Sequence, residues 1–365
     1  MSVSLDRNHA WPEKPLLRLA QRPGMAPSSR GSLANDPQVQ VRAAIAGTGS
    51  YLPSRVLTND DLASQVETTD EWILDRTGIR ERRIAAPDES TSTMAIEAGR
   101  KACADAGIDP KDLDLVIVAT LSPDYLIPAT ACIVQNALGA TRAGAFDLEA
   151  ACSGFVFASN LAQSMILSGM CENILVIGAE TLSRFVDYSD RSSCILFGDG
   201  AGAAVFTARN DGSGIHYTSM YADGSQAELL YIPCGGSKLP PNHDAIDQKL
   251  HFVRVAGRQI AKFATTILVE LVNETLAGCG LEKDDIALYI PHQVNERIID
   301  SALKRLALPR EKCFVNIDRY GNTSAASVPI ALDEARRMGR LKEGDLTMML
   351  GFGAGLTWGA TVVKM

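Results

Sequence analysis

The sequence predicts an α/β protein built from two related halves. Short apolar runs with strand character alternate with helical stretches of about 10–15 residues, the pattern of sheets covered by helices. An internal repeat is the second observation. Leu115-Val-Ile-Val-Ala119 corresponds to Ala287-Leu-Tyr-Ile-Pro291, and Ile174-Leu-Val-Ile-Gly178 to Leu346-Thr-Met-Met-Leu350, both at an offset of 172 residues. The third is that the intervening segments also match. Ala145-Phe-Asp-Leu-Glu149 resembles Phe314-Val-Asn-Ile-Asp318, and each leads into a turn and a helix. The chain therefore divides into an N-terminal extension (1–40), a first half (41–210) and a second half (211–365), with the halves packed face to face.

The elements follow in order. Residues 1–40 hold Pro12, Pro15, Pro23, Pro27 and Pro37, a net charge of +2 and no periodicity, which predicts a disordered tail. No apolar core of a secretory signal follows the basic start, and Asp6, Glu13 and Asp36 argue against a transit peptide. The helix after residue 152 carries Phe155, Val156, Phe157, Leu161, Ala162, Met165, Ile166 and Leu167. It is apolar on most sides, so it belongs between layers. The run Gly351-Phe-Gly-Ala-Gly355 is followed by strand-like Leu356–Val363, and Gly198-Asp-Gly-Ala-Gly202 by Ala203–Phe206. A dinucleotide fingerprint needs a helix there. Both runs read instead as tight hairpin turns, the first of them able to offer a backbone N–H to an oxyanion.

Composition excludes several function classes. Hydrophobic residues make up 46% of the 365, and no apolar run approaches the roughly 20 residues of a membrane span. The net charge of −8 argues against general nucleic-acid binding. Eight cysteines without a CxxC pair argue against zinc, any other metal site and a disulfide framework, and place the chain in a reducing cytoplasm.

One cysteine has surroundings suited to nucleophilic chemistry. Cys152 lies in Phe146-Asp-Leu-Glu-Ala-Ala-Cys-Ser-Gly-Phe155, where a strand-like stretch gives way to an apolar helix. A helix N-terminus favours thiolate over thiol, which predicts a lowered pKa. A thiol nucleophile also needs a partner group. Of the five histidines, His292 alone follows a strand directly, in Pro291-His-Gln-Val-Asn295, and strand C-terminal ends are where α/β folds place ligands. Asn322, in Tyr320-Gly-Asn-Thr-Ser324, occupies the turn that the repeat sets opposite Cys152. Alone it reads as a helix cap. Together the three make a constellation.

These residues resemble the β-ketoacyl-acyl carrier protein synthase III family of the thiolase-like superfamily. The resemblance covers about 43–365 and rests on Asp70-Glu-Trp-Ile with Arg76-Thr-Gly-Ile-Arg80, Ala-Ala-Cys152-Ser-Gly, Phe197-Gly-Asp-Gly-Ala-Gly-Ala203, Pro291-His-Gln-Val-Asn295, Tyr320-Gly-Asn-Thr-Ser324 and Gly353-Ala-Gly-Leu-Thr-Trp-Gly359. It implies a five-layered αβαβα fold, a homodimer and a ping-pong condensation without cofactor. Cys152 accepts an acyl group from acyl-CoA. Malonyl-acyl carrier protein then loses CO₂, and its carbanion attacks the thioester.

The same resemblance implies the remaining roles. His292 and Asn322 donate to the enolate oxygen formed on decarboxylation, and the backbone N–H groups of Cys152 and Ala354 form a second oxyanion hole. Trp72 stacks on the adenine of CoA, Arg76 and Arg191 hold its nucleotide end, and Gly257 and Asn295 line the pantetheine tunnel. Leu182 and Phe197 border the acyl pocket, and Ile127 reaches that of the partner subunit. Arg297, Lys304, Arg254, Arg258 and Lys262 form a basic patch for the acidic carrier protein.

Departures from the family pattern bear on the primer. Ala354 stands where relatives often have glycine, and Ile127 where they often have an aromatic residue. The 207–250 segment is longer than usual and borders the entrance. A relative in secondary metabolism would carry the same triad. A thiolase needs a second catalytic cysteine near the C-terminus, and the last cysteine is Cys313. Elongating synthases use two histidines. A non-catalytic acyl-CoA-binding module would not need Cys152, His292 and Asn322 together.

Overall fold

Alternation along the apolar strands sets the layering. Successive side chains of a strand point to opposite faces. The computed structural model, which describes residues 41–365, uses both faces of the central strands. Ile117 and Val176 join one core, while Val116, Val118, Leu175 and Ile177 join another. The expectations for residues 1–40 lie outside the described residues.

The first sheet contains β1 (Arg42–Tyr51), β2 (Leu115–Ala119), β3 (Gly144–Leu148), β4 (Asn173–Glu180) and β5 (Gly200–Arg209), in the order β1-β5-β4-β2-β3. The second contains β6 (Gly214–Ala222), β7 (Ile286–Pro291), β8 (Leu346–Gly353) and β9 (Thr357–Lys364), in the order β6-β9-β8-β7. The two orders are one topology used twice. β1 and β6 pair antiparallel with β5 and β9. Those pair antiparallel with β4 and β8, along which β2 and β7 run parallel. The repeated sequence segments are thus the equivalent strands β2 and β7, and β4 and β8.

The repeat breaks at its edge. Phe314–Asp318 matches β3 in sequence but forms no strand. A single parallel bridge joins Tyr289 to Cys313, and the chain then enters the short helix Ile317–Tyr320. The Gln293 side chain takes over the ladder, donating to Phe314 O (3.2 Å) and accepting from Asn316 N (3.1 Å).

Helices fill the other three layers. α1 (Thr91–Ala106) and α2 (Thr130–Leu138) cover the outer face of the first sheet. α3 (Gly154–Leu167) lies between the sheets. α4 (Gly257–Cys279) and α5 (Glu296–Leu306) cover the outer face of the second, and α6 (Ser327–Arg337) joins α3 in the middle. The result is an αβαβα sandwich. The face of α5 carrying Ile298, Ile299, Ala302, Leu303 and Leu306 is buried, as its spacing predicts. The central helix α3 is buried except at its C-terminal end, where Leu167 emerges.

The glycine runs separate into two cases. Gly351–Gly355 does lead through a hairpin, from β8 into β9. Gly198–Gly202 is not a hairpin turn, because β5 already begins at Gly200. These glycines serve close approach instead. A Cβ on Gly198 would lie 2.2 Å from Tyr320 O, and one on Gly202 2.5 Å from Ile330 N. The central helix layer and the Asn322 turn can settle on the first sheet only because those side chains are missing.

Candidate active site

Two helix-entry turns meet between the halves. Ala151–Ser153 leads from β3 toward α3, and Ser324–Ala326 leads into α6. Ala151 and Ser324 both have left-handed backbone, with φ of +46° and +48°. Non-glycine residues rarely adopt that region, and it concentrates where function demands it. Each turn thereby exposes its following or preceding side chain at the interface. Gly154 and Ala325 approach so closely that a Cβ on the glycine would sit 3.4 Å from that of Ala325.

Cys152 lines an apolar cavity of about 380 Å³. Leu182, Phe197, Ala354 and Ser324 share the wall, as do Leu121, Phe185 and Val186. Ala227, Leu230, Tyr231 and Ile232 close it from the 207–250 segment, so that segment borders the cavity. The thiol is buried, and loss of hydration pushes it up to about 12. The sequence predicts a thiol lowered by the helix field, so burial reverses that expectation. Desolvation of the charged form is the larger effect in an apolar pocket.

His292 follows β7 and is fixed on every side but one. Its N–H donates to Leu350 O (2.7 Å), and its ring meets Phe352 edge-to-face at 5.3 Å. Nδ1 lies 2.6 Å from Ser327 Oγ, which accepts from Gln293 N (3.3 Å). With Ser327 donating to Nδ1, the proton of the neutral ring sits on Nε2. That Nε2 is buried and has no hydrogen-bond partner. Burial lowers the imidazole to about 3, so it is neutral near pH 7.

Asn322 is pinned through its backbone. Its N–H donates to Leu196 O (2.8 Å), and Gly198 N donates to its carbonyl (3.0 Å). Its Oδ1 accepts from Ser324 N (2.8 Å), which turns Nδ2 into the free end. Asn322 is not a helix cap, since Thr323 and Ala326 hold the cap positions without side-chain bonds; its Oδ1 instead closes an Asx turn on Ser324 N. Cys152 lines the cavity, whereas His292 and Asn322 are buried and are not among its lining residues; Asn322 reaches the wall through its bridge to Phe197 and its bond from Ser324 N.

The nucleotide-end residues lie together at the surface. The guanidinium carbons of Arg191 and Arg76 lie 4.6 and 5.4 Å from the centroid of the Trp72 ring. Arg191 also donates to Glu67 O (2.8 Å). Asn295 caps α5 and donates to Arg76 O (2.9 Å), while Gly257 opens α4. On the outer layer, Arg258, Lys262 and Lys304 are exposed. Arg297 is ion-paired with Asp75, and Arg254 donates to Lys249 O (3.2 Å). Ile127 does not reach the cavity of its own chain and is 86% exposed, beside exposed Tyr125 and Leu126.

Sequence reasoning missed Glu180, Ser324 and Ser327. Glu180 is fully buried at the end of β4, and its carboxyl is pushed up to about 7 by desolvation. Its signal was an acid closing an apolar strand. Among the described residues, no group of three or more His, Cys, Asp or Glu side chains could hold a metal ion, no helix is long and apolar enough to cross a membrane, and all eight cysteines are free.

Comparison with known proteins gives the family. The 3-oxoacyl-[acyl-carrier-protein] synthase III family model matches residues 146–224, and the C-terminal model of that family matches 276–365. The β-ketoacyl-[acyl-carrier-protein] synthase III of Caldanaerobacter subterraneus is 51% identical over 325 residues, which is 89% of this chain and 98% of the relative. The chain belongs to this family. It is an acyl-transferring condensing enzyme with the thiolase-like fold. The crystal structure of the Aquifex aeolicus 3-oxoacyl-[acyl-carrier-protein] synthase III superposes with a TM-score of 0.82 at 48% identity, covering 88% of this chain and all of that one. The priming β-ketosynthase of the R1128 polyketide pathway superposes with a TM-score of 0.83 at 34% identity, covering 91% and 98%.

Proposed function

We propose that this enzyme condenses an acyl-CoA primer with malonyl-acyl carrier protein and so starts fatty-acid synthesis. The reaction runs in two half-reactions through an acyl-Cys152 thioester. In the first, Cys152 Sγ attacks the acyl carbonyl, backbone N–H groups of Cys152 and Ala354 receive the oxyanion, and CoA leaves as its thiol. In the second, malonyl-carrier protein enters and loses CO₂. His292 Nε2 and Asn322 Nδ2 donate to the thioester oxygen as it becomes an enolate, and the carbanion attacks the acyl-Cys152 carbonyl. The observation that carries this reading is the buried, unpartnered Nε2 of a neutral His292. A buried polar group without a partner costs stability unless substrate completes it.

Other roles follow from the same reading. Trp72 takes the adenine of CoA, held by Arg76 and Arg191. Pantetheine passes Gly257 and Asn295, and the acyl chain lies against Leu182 and Phe197. Arg258, Lys262 and Lys304, with Arg254 and Arg297, form the docking face for the acidic carrier protein. The enzyme works in the cytoplasm as a homodimer without a cofactor, and the exposed apolar Tyr125–Ile127 stretch supports the pairing.

The test is a product assay. Incubation with a panel of acyl-CoAs and malonyl-carrier protein should yield β-ketoacyl-carrier protein, free CoA and CO₂ in equal amounts. CoA release without CO₂ would reduce the reading to acyl transfer alone. Ile127 in place of an aromatic side chain favours a longer or branched primer. A strict preference for acetyl-CoA in competition would contradict that choice of primer.

A further inference from the structure

A thiol held in its neutral form needs somewhere to send its proton during attack. His292 is poorly suited, since burial lowers its pKa to about 3 and its Nδ1 is already engaged by Ser327. The opposite wall offers another route. Ser324 Oγ is buried without a partner in hydrogen-bond geometry, Ser324 lines the same cavity as Cys152, and the next residue, Ala325, donates to Glu180 Oε1 at 3.4 Å, so the hydroxyl lies between the two groups and lowers the pKa of both.

Glu180 is built as a fixed acceptor. Its Oε2 receives Ser122 Oγ (2.5 Å), Thr120 Oγ1 (3.2 Å) and Leu121 N (3.2 Å). Its Oε1 receives only long contacts of 3.4 Å, from Leu121 N and from Ala325 N, the residue after Ser324. One oxygen is saturated, and the other keeps an acceptor position on the Ser324 side. The carboxyl comes from β4 of the first half and the hydroxyl from the helix-entry turn of the second, so the path crosses the interface between them.

We propose that Glu180 accepts the Cys152 thiol proton through the Ser324 hydroxyl during acylation. This rests on the acyl-Cys152 reading above. As the Sγ–C bond forms, the thiol proton passes to Ser324 Oγ, and the Ser324 proton passes to Glu180 Oε1. When the tetrahedral intermediate collapses, the bond to the CoA sulfur breaks. The same path run backwards returns the proton to that sulfur, and CoA leaves as a thiol. Glu180 and Ser324 end as they began. In the second half-reaction decarboxylation and C–C bond formation precede any proton movement on this path; Cys152 then leaves as a thiolate and regains one proton from solvent through Glu180 and Ser324, after the condensing step. The titratable groups facing the path are Cys152 and Glu180, with Glu149 acting on the thiol from beyond the 3₁₀ turn. A carboxyl poised near pH 7 fits the task of a base at neutral pH.

The experiment separates the half-reactions in Glu180→Gln and Ser324→Ala, each checked by circular dichroism for a retained fold at every assay pH. Rapid-quench intact mass spectrometry with acyl-CoA gives the acylation rate from pH 5.5 to 8.5. Pre-acylated enzyme mixed with malonyl-carrier protein gives the condensation rate. Both variants should acylate about 100-fold or more slowly, condense within about threefold of wild type, and lose the rise in acylation through about pH 7. Wild-type acylation rates in Glu180→Gln would overturn the relay, as would an equal fall in both half-reactions, which marks a merely structural strut. If wild-type enzyme itself forms no acyl adduct, the acyl-Cys152 reading fails instead, and the two failures are distinguishable.

Discussion

The two halves of this molecule share a topology and differ in chemistry. Each ends a parallel strand or its remnant in a helix-entry turn with one left-handed non-glycine residue, Ala151 in the first half and Ser324 in the second. The first turn carries the buried Cys152 thiol, and the second carries the amide of Asn322 and the hydroxyl of Ser324. Electrostatics diverge the same way. Burial drives the Cys152 thiol and the Glu180 carboxyl upward, toward neutral and protonated forms, and drives His292 downward, also toward a neutral form. The duplicated fold thus holds a thiol, a carboxyl and an imidazole that burial pushes toward their neutral forms.

The largest effect should come from the unshared element. Cys152→Ala removes the nucleophile and should abolish acyl-enzyme formation, a loss of at least about 10³-fold in overall turnover, read by CoA release. Next come the donors of the second half. His292→Ala and Asn322→Ala should each lower condensation by about 10²–10³-fold and leave acylation within about tenfold, measured by single-turnover mixing. Asn322→Asp should be worse than alanine, because a carboxylate opposes the enolate. Condensation equal in Asp and Ala variants would remove the charge argument.

The pH response of stability sharpens the contrast. His292 has a folded value near 3 against about 6.5 unfolded, so the stability it contributes falls as pH drops from about 6.5 toward 3. Glu180 has a folded value near 7 against about 4.5 unfolded, so its contribution falls as pH rises from about 4.5 to 7. His292→Gln and Glu180→Gln should therefore tilt the denaturation midpoint against pH in opposite senses, by energies on the order of a few kcal/mol. Tilts of the same sign would show that burial does not govern both groups. The smallest effect lies outside the interface. Trp72→Ala should raise KM for acyl-CoA about tenfold with kcat nearly unchanged, as expected of a binding contact remote from the cleft.

Much of this was legible in the chain. The offset of 172 residues located the equivalent strands β2 and β7 and β4 and β8, because apolar strands buried on both faces read as continuous runs. The same register placed the Cys152 turn opposite the Asn322 turn. The missing counterpart of β3 was not legible, since the Gln293 side chain that replaces the ladder comes from another segment. Gly198–Gly202 looked like a turn because glycine signals both tight turns and close approach, and only packing against Tyr320 and Ile330 separates the two. The thiol direction was misjudged because a helix terminus is visible in sequence and burial depth is not. Glu180 and Ser324 escaped notice for the same reason, as their meaning arises only where the halves touch.

The central claim is that Cys152 of the first half carries the acyl group while His292 and Asn322 of the second make the attacking carbanion. Intact mass spectrometry across the two half-reactions tests it most directly. Wild-type enzyme should gain one acyl mass from acyl-CoA and lose it on addition of malonyl-carrier protein. Cys152→Ala should never gain it, and the His292→Ala and Asn322→Ala enzymes should gain it and retain it. An acyl mass on Cys152→Ala, or its discharge at the wild-type rate in both donor variants, would contradict the account.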